Sequence, residues 1–232
     1  MEAPPEPWVQ DYFDSGAPGN FSYSLSPHVM KQTTRASLRK SLRDARRALS
    51  PRQQDMAASR LHHLVSTQRY FRSAKRIAFY LPSDGEIDPS LLLAQALAQG
   101  KQCYLPCMHP HRPNRLLFLR YRRGDALNSH RWGMLQPSLR RARAISARAL
   151  DLVFLPLVGF DRQGNRLGMG KGFYDRSFGF RARAKRHSPK LIGLAHECQR
   201  VDHIDHQAWD VRLDKIESDR GSYRISSISS AL

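Results

Sequence analysis

The 232-residue sequence predicts one α/β domain of the three-layer α/β/α type, built around a mainly parallel, open, doubly wound sheet. Three observations predict this fold. The apolar runs 76–81 and 102–106 are separated by a single helical segment, which is typical of parallel strands joined by a crossover helix. The run 151–158, DLVFLPLV, is apolar almost throughout, as central parallel strands are. A glycine-rich loop follows that run, at the position where ligands bind in open parallel sheets.

The first predicted element after a proline-rich start is a basic helix. Residues 1–30 contain five prolines and no apolar period, so we expect a disordered N-terminal extension there. From about Lys31 a helical period appears, with one apolar and one basic stripe. The apolar stripe is Leu38, Leu42, Ala45 and Leu49, and the basic stripe is Arg35, Arg39, Arg43 and Arg46. Ser50 and Gln53 form a capping box that starts a second helix at Pro51.

The elements that follow alternate between strands and helices. After the strand at 76–81, the pair Asp88-Pro89 caps a helix over LLLAQALAQ that stops at Gly100. Further strands are predicted at 116–121 and at 191–196, on either side of DLVFLPLV. This alternation supports the assignment to the α/β class.

The charge of the chain restricts its partners. Lys and Arg number 38 against 20 Asp and Glu, a formal net charge of +18, so anionic partners are favoured. A nucleic-acid-binding protein, an enzyme with polyanionic substrates and a protein that uses Arg freely on its solvated faces would all look like this. No apolar run approaches the roughly 20 residues of a membrane helix, and the start lacks the pattern of a signal peptide. We therefore expect a cytoplasmic protein with no membrane partner.

The segment 159–178, GFDRQGNRLGMGKGFYDRSF, raises the question of which ligand needs such bare backbone. Three of its glycines alternate with other residues: Gly168, Gly170 and Gly172. Such a pattern indicates either left-handed backbone or a ligand pressed against the main chain. Arg166 and Lys171 add positive charge just before a helix that is predicted to begin near Phe173. We therefore predict a site for the phosphates of a nucleotide.

This loop matches neither of two better-known phosphate loops. A Walker loop needs G-x-x-x-x-G-K followed by Ser or Thr, and Lys171 is followed by Gly172. A dinucleotide fingerprint needs G-x-G-x-x-G, whereas the spacing here is G-x-G-x-G. A glycine-rich turn without a ligand is the alternative.

The whole string, a strand ending in LP followed by GFD, NRLG and KGFYD, resembles the signature of the 5-formyltetrahydrofolate cyclo-ligase family, also called 5,10-methenyltetrahydrofolate synthetase. Four more segments are similar to that family and occur in the same order: RASLRK, FYLPSDGEID, WGMLQP and AHECQRVDHIDHQAWDVRLDKI. The resemblance covers about residues 33–217. It implies a single α/β catalytic domain over 31–217, with a C-terminal tail over 218–232. The implied reaction is the cyclisation of 5-formyltetrahydrofolate to 5,10-methenyltetrahydrofolate with ATP and Mg²⁺, through an iminium phosphate, giving ADP and phosphate.

The resemblance also implies roles for individual residues. The ATP-binding positions are Arg35, Arg39, Arg166, Leu167, Gly168, Met169, Gly170, Lys171, Gly172, Phe173 and Tyr174. The catalytic residues among them are Arg166, Lys171 and Tyr174. The folate-contacting positions are Leu81, Glu86 and Tyr174. Asp175 and Asp210 match the metal positions of the family, and carboxylate oxygen is a ligand that Mg²⁺ prefers.

Several of these residues have an ordinary structural alternative. Tyr174 could instead be a core aromatic, Asp175 could be a helix cap, and Glu86 could be an ordinary loop acid. Trp132 either packs against the folate or covers the core. His203 and His206 look like a pair of metal ligands, but we expect them to be exposed, because magnesium prefers oxygen and no zinc spacing surrounds them.

Two other functions remain open at this point. A basic nucleic-acid-binding or ribosome-associated protein would use the Arg-rich stretches and would leave Glu86, Asp175 and Asp210 incidental. A second alternative keeps the nucleotide loop but changes the acceptor, because a fold and an ATP site do not fix the partner. The family resemblance favours a small-molecule folate substrate, no specific nucleic acid and a monomer.

Overall fold

The structure, a computed structural model, describes residues 34–129, 135–138, 143–183 and 189–225. The predicted extension over 1–30 and Trp132 lie outside the described residues. Within the described ranges, no helix is both long and apolar enough to cross a lipid bilayer.

An eight-stranded mixed sheet forms the centre of the molecule. The strands of the described chain are β1 (Arg76–Ala78), β2 (Gln102–Met108), β3 (Leu116–Tyr121), β4 (Leu127–Ser129), β5 (Leu135–Pro137), β6 (Ala144–Ile145), β7 (Leu152–Pro156), β8 (Gly159–Phe160), β9 (Arg166–Leu167), β10 (Lys190–Ala195), β11 (Lys215–Ser218) and β12 (Ser222–Arg224). The large sheet has the order β12-β11-β10-β7-β1-β2-β3-β6, and the hairpins β4-β5 and β8-β9 are separate from it. The strands from β11 to β2 are parallel, and β12, β3 and β6 join the edges antiparallel. The predicted mainly parallel α/β/α fold is confirmed, with β7 at its centre.

Some strand boundaries differ from the predicted apolar runs. β1 ends at Ala78 rather than at residue 81, because the chain leaves the sheet there. Tyr80 instead donates its hydroxyl to the Ile87 carbonyl at 2.6 Å. β2 continues past residue 106 to Met108, because β3 pairs with it as far as that residue. Near the end of the described residues, β12 pairs with β11, so the sheet extends beyond residue 217.

Five α-helices pack around the sheet in the described ranges, and local side chains cap the first two. They are α1 (Arg35–Arg47), α2 (Pro51–Ser66), α3 (Arg69–Ser73), α4 (Ser90–Ala98) and α5 (Phe173–Phe178). α1 begins after Thr34, whose side chain accepts a hydrogen bond from the Ser37 amide. The capping box of Ser50 and Gln53 stands at the start of α2, with Pro51 as the first helical residue, so that prediction is confirmed.

Two hydrophobic clusters cover the two faces of the sheet, because successive side chains of a strand point to opposite sides. In β7, Leu152 and Phe154 belong to the cluster beneath α2, α3 and α4. Val153 and Leu155 belong to the opposite cluster, which includes α5. All four side chains are buried, as the apolar run DLVFLPLV predicted.

Helix α1 packs beyond the carboxyl end of β7. Its Leu42 joins Val158, Leu167 and Ile204 in a small third cluster of buried residues. Arg46, near the end of the helix, donates to the Leu157 carbonyl just past β7, at 3.2 Å. The basic stripe of α1 therefore lies at the end of the sheet where ligands bind in this fold class.

Candidate active site

A cavity of about 2120 Å³ opens at the carboxyl end of the parallel strands. This volume exceeds the roughly 300–1,000 Å³ that is typical of a pocket for one ligand, so the cavity can hold two small molecules together. One face of α1, the turn after β1, the glycine loop after β9 and the segment 206–214 form its wall. The predicted site residues that line it are Arg35, Arg39, Leu81, Glu86, Arg166, Gly168, Met169, Gly170, Lys171, Gly172, Phe173, Tyr174, Asp175 and Asp210.

Leu167 is the predicted ATP-binding residue whose side chain does not line the cavity. It is fully buried beside Leu42 and Val158, and its carbonyl accepts a hydrogen bond from the Val158 amide at 2.8 Å. The pairing of β9 with β8 explains this placement, because neighbouring residues of a strand face opposite sides. Arg166 faces the cavity, and Leu167 anchors the loop in the core.

The buried carboxylate of Asp161 holds the β8-β9 hairpin in shape. It accepts hydrogen bonds from the amide and the side chain of Asn165, both at 2.8 Å, and from the Ile204 amide at 2.9 Å. Asp161 has no exposed surface, so these bonds are shielded from water. Asp161 and Asn165, which belong to the GFD and NRLG parts of the sequence signature, therefore build the turn that directs the glycine loop into the cavity.

The alternating positions of the loop favour glycine for different physical reasons. Gly170 and Gly172 adopt φ angles of 90° and 64°, in the left-handed region that favours glycine. A Cβ on Gly172 would lie 2.7 Å from Nη1 of Arg176. Gly168 does not have a positive φ, and a Cβ there would meet nothing within 4 Å. Its lack of a side chain keeps space open beside the cavity, which suits the close approach of a ligand.

The helix that follows the loop contributes less than the sequence suggested. α5 contains six residues, Phe173–Phe178, and so short a helix has only a small dipole. Side chains therefore supply most of the positive charge. They come from the loop, with Arg166 and Lys171, and from α1.

Arg35 and Arg39 of α1 bring two cations to the cavity wall beside the glycine loop. Nε of Arg39 donates to the Gly168 carbonyl at 2.8 Å, and Arg35 reaches the Asp205 carbonyl at 3.0 Å and Oδ2 of Asp210 at 3.5 Å. Burial, and after it the charge of Arg35, lower the pKa of Arg39. An anion bound between them would relieve this repulsion.

Asp175 and Asp210, the two predicted metal ligands, both line the cavity. Oδ1 of Asp175 accepts from the Val211 amide at 3.1 Å and is paired with Arg166, and Oδ2 of Asp210 accepts from the Gln207 amide at 3.1 Å. Two oxygen ligands from the protein fit Mg²⁺, which usually keeps water and phosphate ligands as well. The histidines of the same region are exposed, as predicted: His203 and His206.

Glu86 and Tyr174 form the part of the wall that is predicted to meet the folate. The Glu86 side chain is 11% exposed, accepts from the Ser83 amide at 3.2 Å and lies 3.8 Å from Nη2 of Arg46. Burial raises the pKa of Glu86 to about 7, with Arg46 as the largest opposing influence. Burial, and then the charge of Glu86, raise the pKa of Tyr174, whose ring stacks on Phe178. Tyr174 therefore packs on the core and lines the cavity as well.

The cavity wall also contains charged and aromatic residues that were not identified as site residues from the sequence. Among them are Arg43, Arg46, Asp84 and Trp209, the last of which is 71% exposed. The basic stripe of α1 was a signal for the two arginines, because they follow Arg35 and Arg39 at helical spacing. Asp84 and Trp209 offered no pattern of their own beyond their neighbours in sequence.

Comparison with known proteins identifies the family. The sequence profile of the 5-formyltetrahydrofolate cyclo-ligase family matches residues 31–218. A protein of Haemophilus influenzae named 5-formyltetrahydrofolate cyclo-ligase is 37% identical over 184 residues, covering 79% of this chain and 97% of the relative. The protein of the same name from Escherichia coli K12 is 35% identical over 175 residues, covering 75% of this chain and 94% of the relative.

Solved structures agree with the sequence matches. The NMR structure of a 5,10-methenyltetrahydrofolate synthetase from Aquifex aeolicus is similar with a TM-score of 0.71 at 25% identity, covering 85% of this chain and 96% of the other. The solved structure of a 5,10-methenyltetrahydrofolate synthetase from Mycoplasma pneumoniae is similar with a TM-score of 0.62 at 25% identity, covering 80% of this chain and 98% of the other. The matched range contains α1, the glycine loop and Asp210. The chain therefore belongs to the 5-formyltetrahydrofolate cyclo-ligase family of enzymes.

Proposed function

We propose that this enzyme converts 5-formyltetrahydrofolate and ATP into 5,10-methenyltetrahydrofolate, ADP and phosphate, with Mg²⁺ bound to Asp175 and Asp210. One observation carries the proposal: the glycine loop and Glu86 line the same cavity. A phosphate site and a site for a ring with N–H donors are therefore adjacent, in a space large enough for both substrates. Membership of the family supports the choice of folate as the acceptor.

The chemistry explains why two anionic substrates must meet. A formamide carbon is a poor electrophile, and its oxygen is a poor leaving group in water. Transfer of the γ-phosphoryl group of ATP to that oxygen releases ADP and gives an iminium phosphate. Folate N10 then attacks the formyl carbon and loses its proton, and the C–O bond breaks to release phosphate. The enzyme has to align the substrates and neutralise the transferred group.

The basic residues of the loop and of α1 suit the nucleotide. Arg166 and Lys171 supply positive charge beside the bare backbone of Gly168, and Arg35 with Arg39 supplies more from the facing helix. We assign these groups to phosphate oxygens. The magnesium ion adds charge neutralisation at the phosphates when it is bound.

The remaining site residues suit the folate. Glu86 can accept hydrogen bonds from the N–H groups of the pterin, and Leu81 offers an apolar surface to the same ring. Tyr174 follows the glycine loop, lines the cavity and feels the charge of Glu86, and we assign its hydroxyl to the formyl end of the folate.

The competing functions predict other arrangements. Exposed cations raise the affinity of a surface for nucleic acid, and carboxylates lower it. Three acids nevertheless line the basic cavity: Glu86, Asp175 and Asp210. The placement of these acids favours a small-molecule site with a metal. An altered acceptor with the same nucleotide site is the second candidate, and the assay below separates it.

The test is a direct assay of the purified full-length protein with ATP, Mg²⁺ and 5-formyltetrahydrofolate, following the absorbance of the methenyl product. We expect product only when all three are present, with omission of ATP as the matched control. ADP release without the methenyl chromophore would favour another acceptor. The absence of both ADP and methenyl product, under every order of addition, would refute the proposed function.

A further inference from the structure

The turn that carries Glu86 is held by arginines of α1. Nε of Arg43 donates to Oδ2 of Asp84 at 2.7 Å, and Nη2 of Arg46 donates to the same oxygen at 2.9 Å. Arg47 pairs with Oδ1 of Asp84. Nε of Arg46 also donates to the Asp84 carbonyl at 2.7 Å. Three cations from consecutive turns of one helix therefore hold both the carboxylate and the main chain of a single residue.

That residue has an unfavourable backbone conformation. Asp84 has a φ of 55°, and Gly85 follows with a φ of 73°. A residue with a side chain adopts the left-handed region at a cost in free energy, so the surroundings must impose it. A Cβ on Gly85 would lie 3.2 Å from the Arg46 carbonyl oxygen, which shows how closely the turn fits against α1.

Arg46 is the central member of this group. It has no exposed surface, and besides Asp84 it contacts the Leu157 carbonyl at 3.2 Å and approaches Oε1 of Glu86 to 3.8 Å. A buried ion pair gains little stability over apolar side chains of the same size, so stability alone does not account for this arrangement. Arg46 joins α1, the end of β7 and the turn that leads to Glu86.

We propose that Asp84 is a positioning residue of the cyclo-ligase site: held by Arg43, Arg46 and Arg47, it fixes the turn that presents Glu86 to the folate. The inference rests on the proposed function. It also links the two substrates, because Arg35 and Arg39 project into the cavity from the same helix. One helix thereby sets the positions of the nucleotide side and the folate side.

The test compares wild type, Asp84→Asn and Asp55→Asn as full-length proteins. Asp55 is the matched control, since it is an exposed acid on α2 and does not line the cavity. KM for 5-formyltetrahydrofolate and for ATP is measured, together with the Kd of 5-formyltetrahydrofolate by calorimetry without ATP. A shift of the turn by about 1 Å in Asp84→Asn should raise the folate KM and Kd by about tenfold or more, with the ATP KM within about twofold. Asp55→Asn should change none of these by more than about twofold.

A second variant tests the conformation without changing any charge. Gly85→Ala adds a Cβ where φ is 73° and the Arg46 carbonyl is close, so it should raise the folate KM and Kd in the same selective way. If Asp84→Asn does not fold, Arg47→Ala takes its place, because it removes only the half-exposed arginine.

Selective loss of folate affinity supports the inference. A folate KM and Kd that stay within about twofold of wild type, or that rise in step with the ATP KM, would overturn it. The calorimetric measurement separates this result from the fate of the proposed function. If the wild-type protein binds 5-formyltetrahydrofolate without cyclising it, the proposed function is refuted, and the Kd values still test the positioning role of Asp84. If the wild-type protein binds no folate, the proposed function and the positioning role are both overturned.

Discussion

Nε of Arg39 donates to the carbonyl oxygen of Gly168 at 2.8 Å, across 129 positions of the sequence. This hydrogen bond joins the first helix of the described chain to the start of the glycine loop. A charged donor bound to a carbonyl is stronger than a neutral one, so the loop is held in place before a ligand arrives. The following predictions test what that arrangement does.

Lys171→Ala should lower turnover by on the order of 10²-fold while the protein remains folded. The reason is the loss of a fixed positive charge where the transferred phosphoryl group is proposed to lie. The measurement is kcat for methenyl formation, with circular dichroism to check the fold. Lys40→Ala is the control, because Lys40 is 82% exposed and lies outside the cavity. Equal activity of the two variants would show that the loop does not neutralise the phosphoryl group.

Asp175→Asn should raise the Mg²⁺ concentration needed for half-maximal activity by roughly tenfold or more, since it removes a charged oxygen ligand and keeps the shape of the side chain. The amide oxygen can still accept from the Val211 amide, so the segment should stay in place. The measurement is a Mg²⁺ titration of activity. Chelation of the metal should abolish activity in wild type. Superimposable titrations of wild type and variant would remove Asp175 from the metal site.

Gly168→Ala and Gly172→Ala should separate the two reasons for glycine in the loop. Gly172→Ala should lose roughly 1–3 kcal/mol of unfolding free energy, because its φ is 64° and Arg176 is close. Gly168→Ala should keep its stability, since a Cβ there meets nothing within 4 Å, yet its ATP KM should rise if phosphate approaches the main chain. Urea denaturation and ATP kinetics give the two readouts. A Gly168→Ala enzyme with an unchanged ATP KM would argue against a ligand at that position.

Stability should depend on pH through Glu86. Because burial raises its pKa from the ordinary 4.5 to about 7, folding favours the protonated form. The contribution is fully present below pH 4.5, declines as pH rises, and is lost above about pH 7. From pH 5 to pH 8, wild type should therefore lose on the order of 1–3 kcal/mol relative to Glu86→Gln, which cannot ionise. Urea unfolding of both proteins at the two pH values measures the difference. Parallel stability profiles would show that Glu86 does not titrate in this range.

Binding to duplex DNA or RNA should be weak and should fall steeply with salt, as expected when cations contact phosphates without reading bases. Fluorescence anisotropy at several salt concentrations measures the slope. Sequence-selective, submicromolar binding at physiological salt would contradict the assignment of the positive charge to small anionic ligands and solvent.

The sequence was informative about the fold where each strand is buried on both faces. The run DLVFLPLV could only be a central strand, and β7 lies between β10 and β1 as that pattern requires. The end of β1 was less predictable. Residues 79–81 are as apolar as the strand itself, but Tyr80 and Leu81 line the cavity where the chain turns toward Glu86, so a tertiary feature decides where the strand ends.

The site was predictable where one continuous segment forms it. The glycine loop keeps its backbone and its charges together in sequence, so its place beside the cavity followed from its pattern. The contact of Asp84 with three arginines could not be predicted, because it joins two segments 38 positions apart and depends on a left-handed turn. The burial of Leu167 depends in the same way on the hairpin register.

The polar partners of α1 also have a consequence for the order of folding. Arg46 contacts Asp84, Arg39 contacts Gly168, and Arg35 contacts Asp210, at separations of 38, 129 and 175 positions. Contacts this distant in sequence form slowly, because a long loop has to close before they contribute. On the ribosome, α1 is synthesised before the sheet, but the acceptors of Arg39 and Arg35 are translated much later. Helix α1 therefore docks completely only after Asp210 has been translated, so this wall of the cavity is completed late in folding.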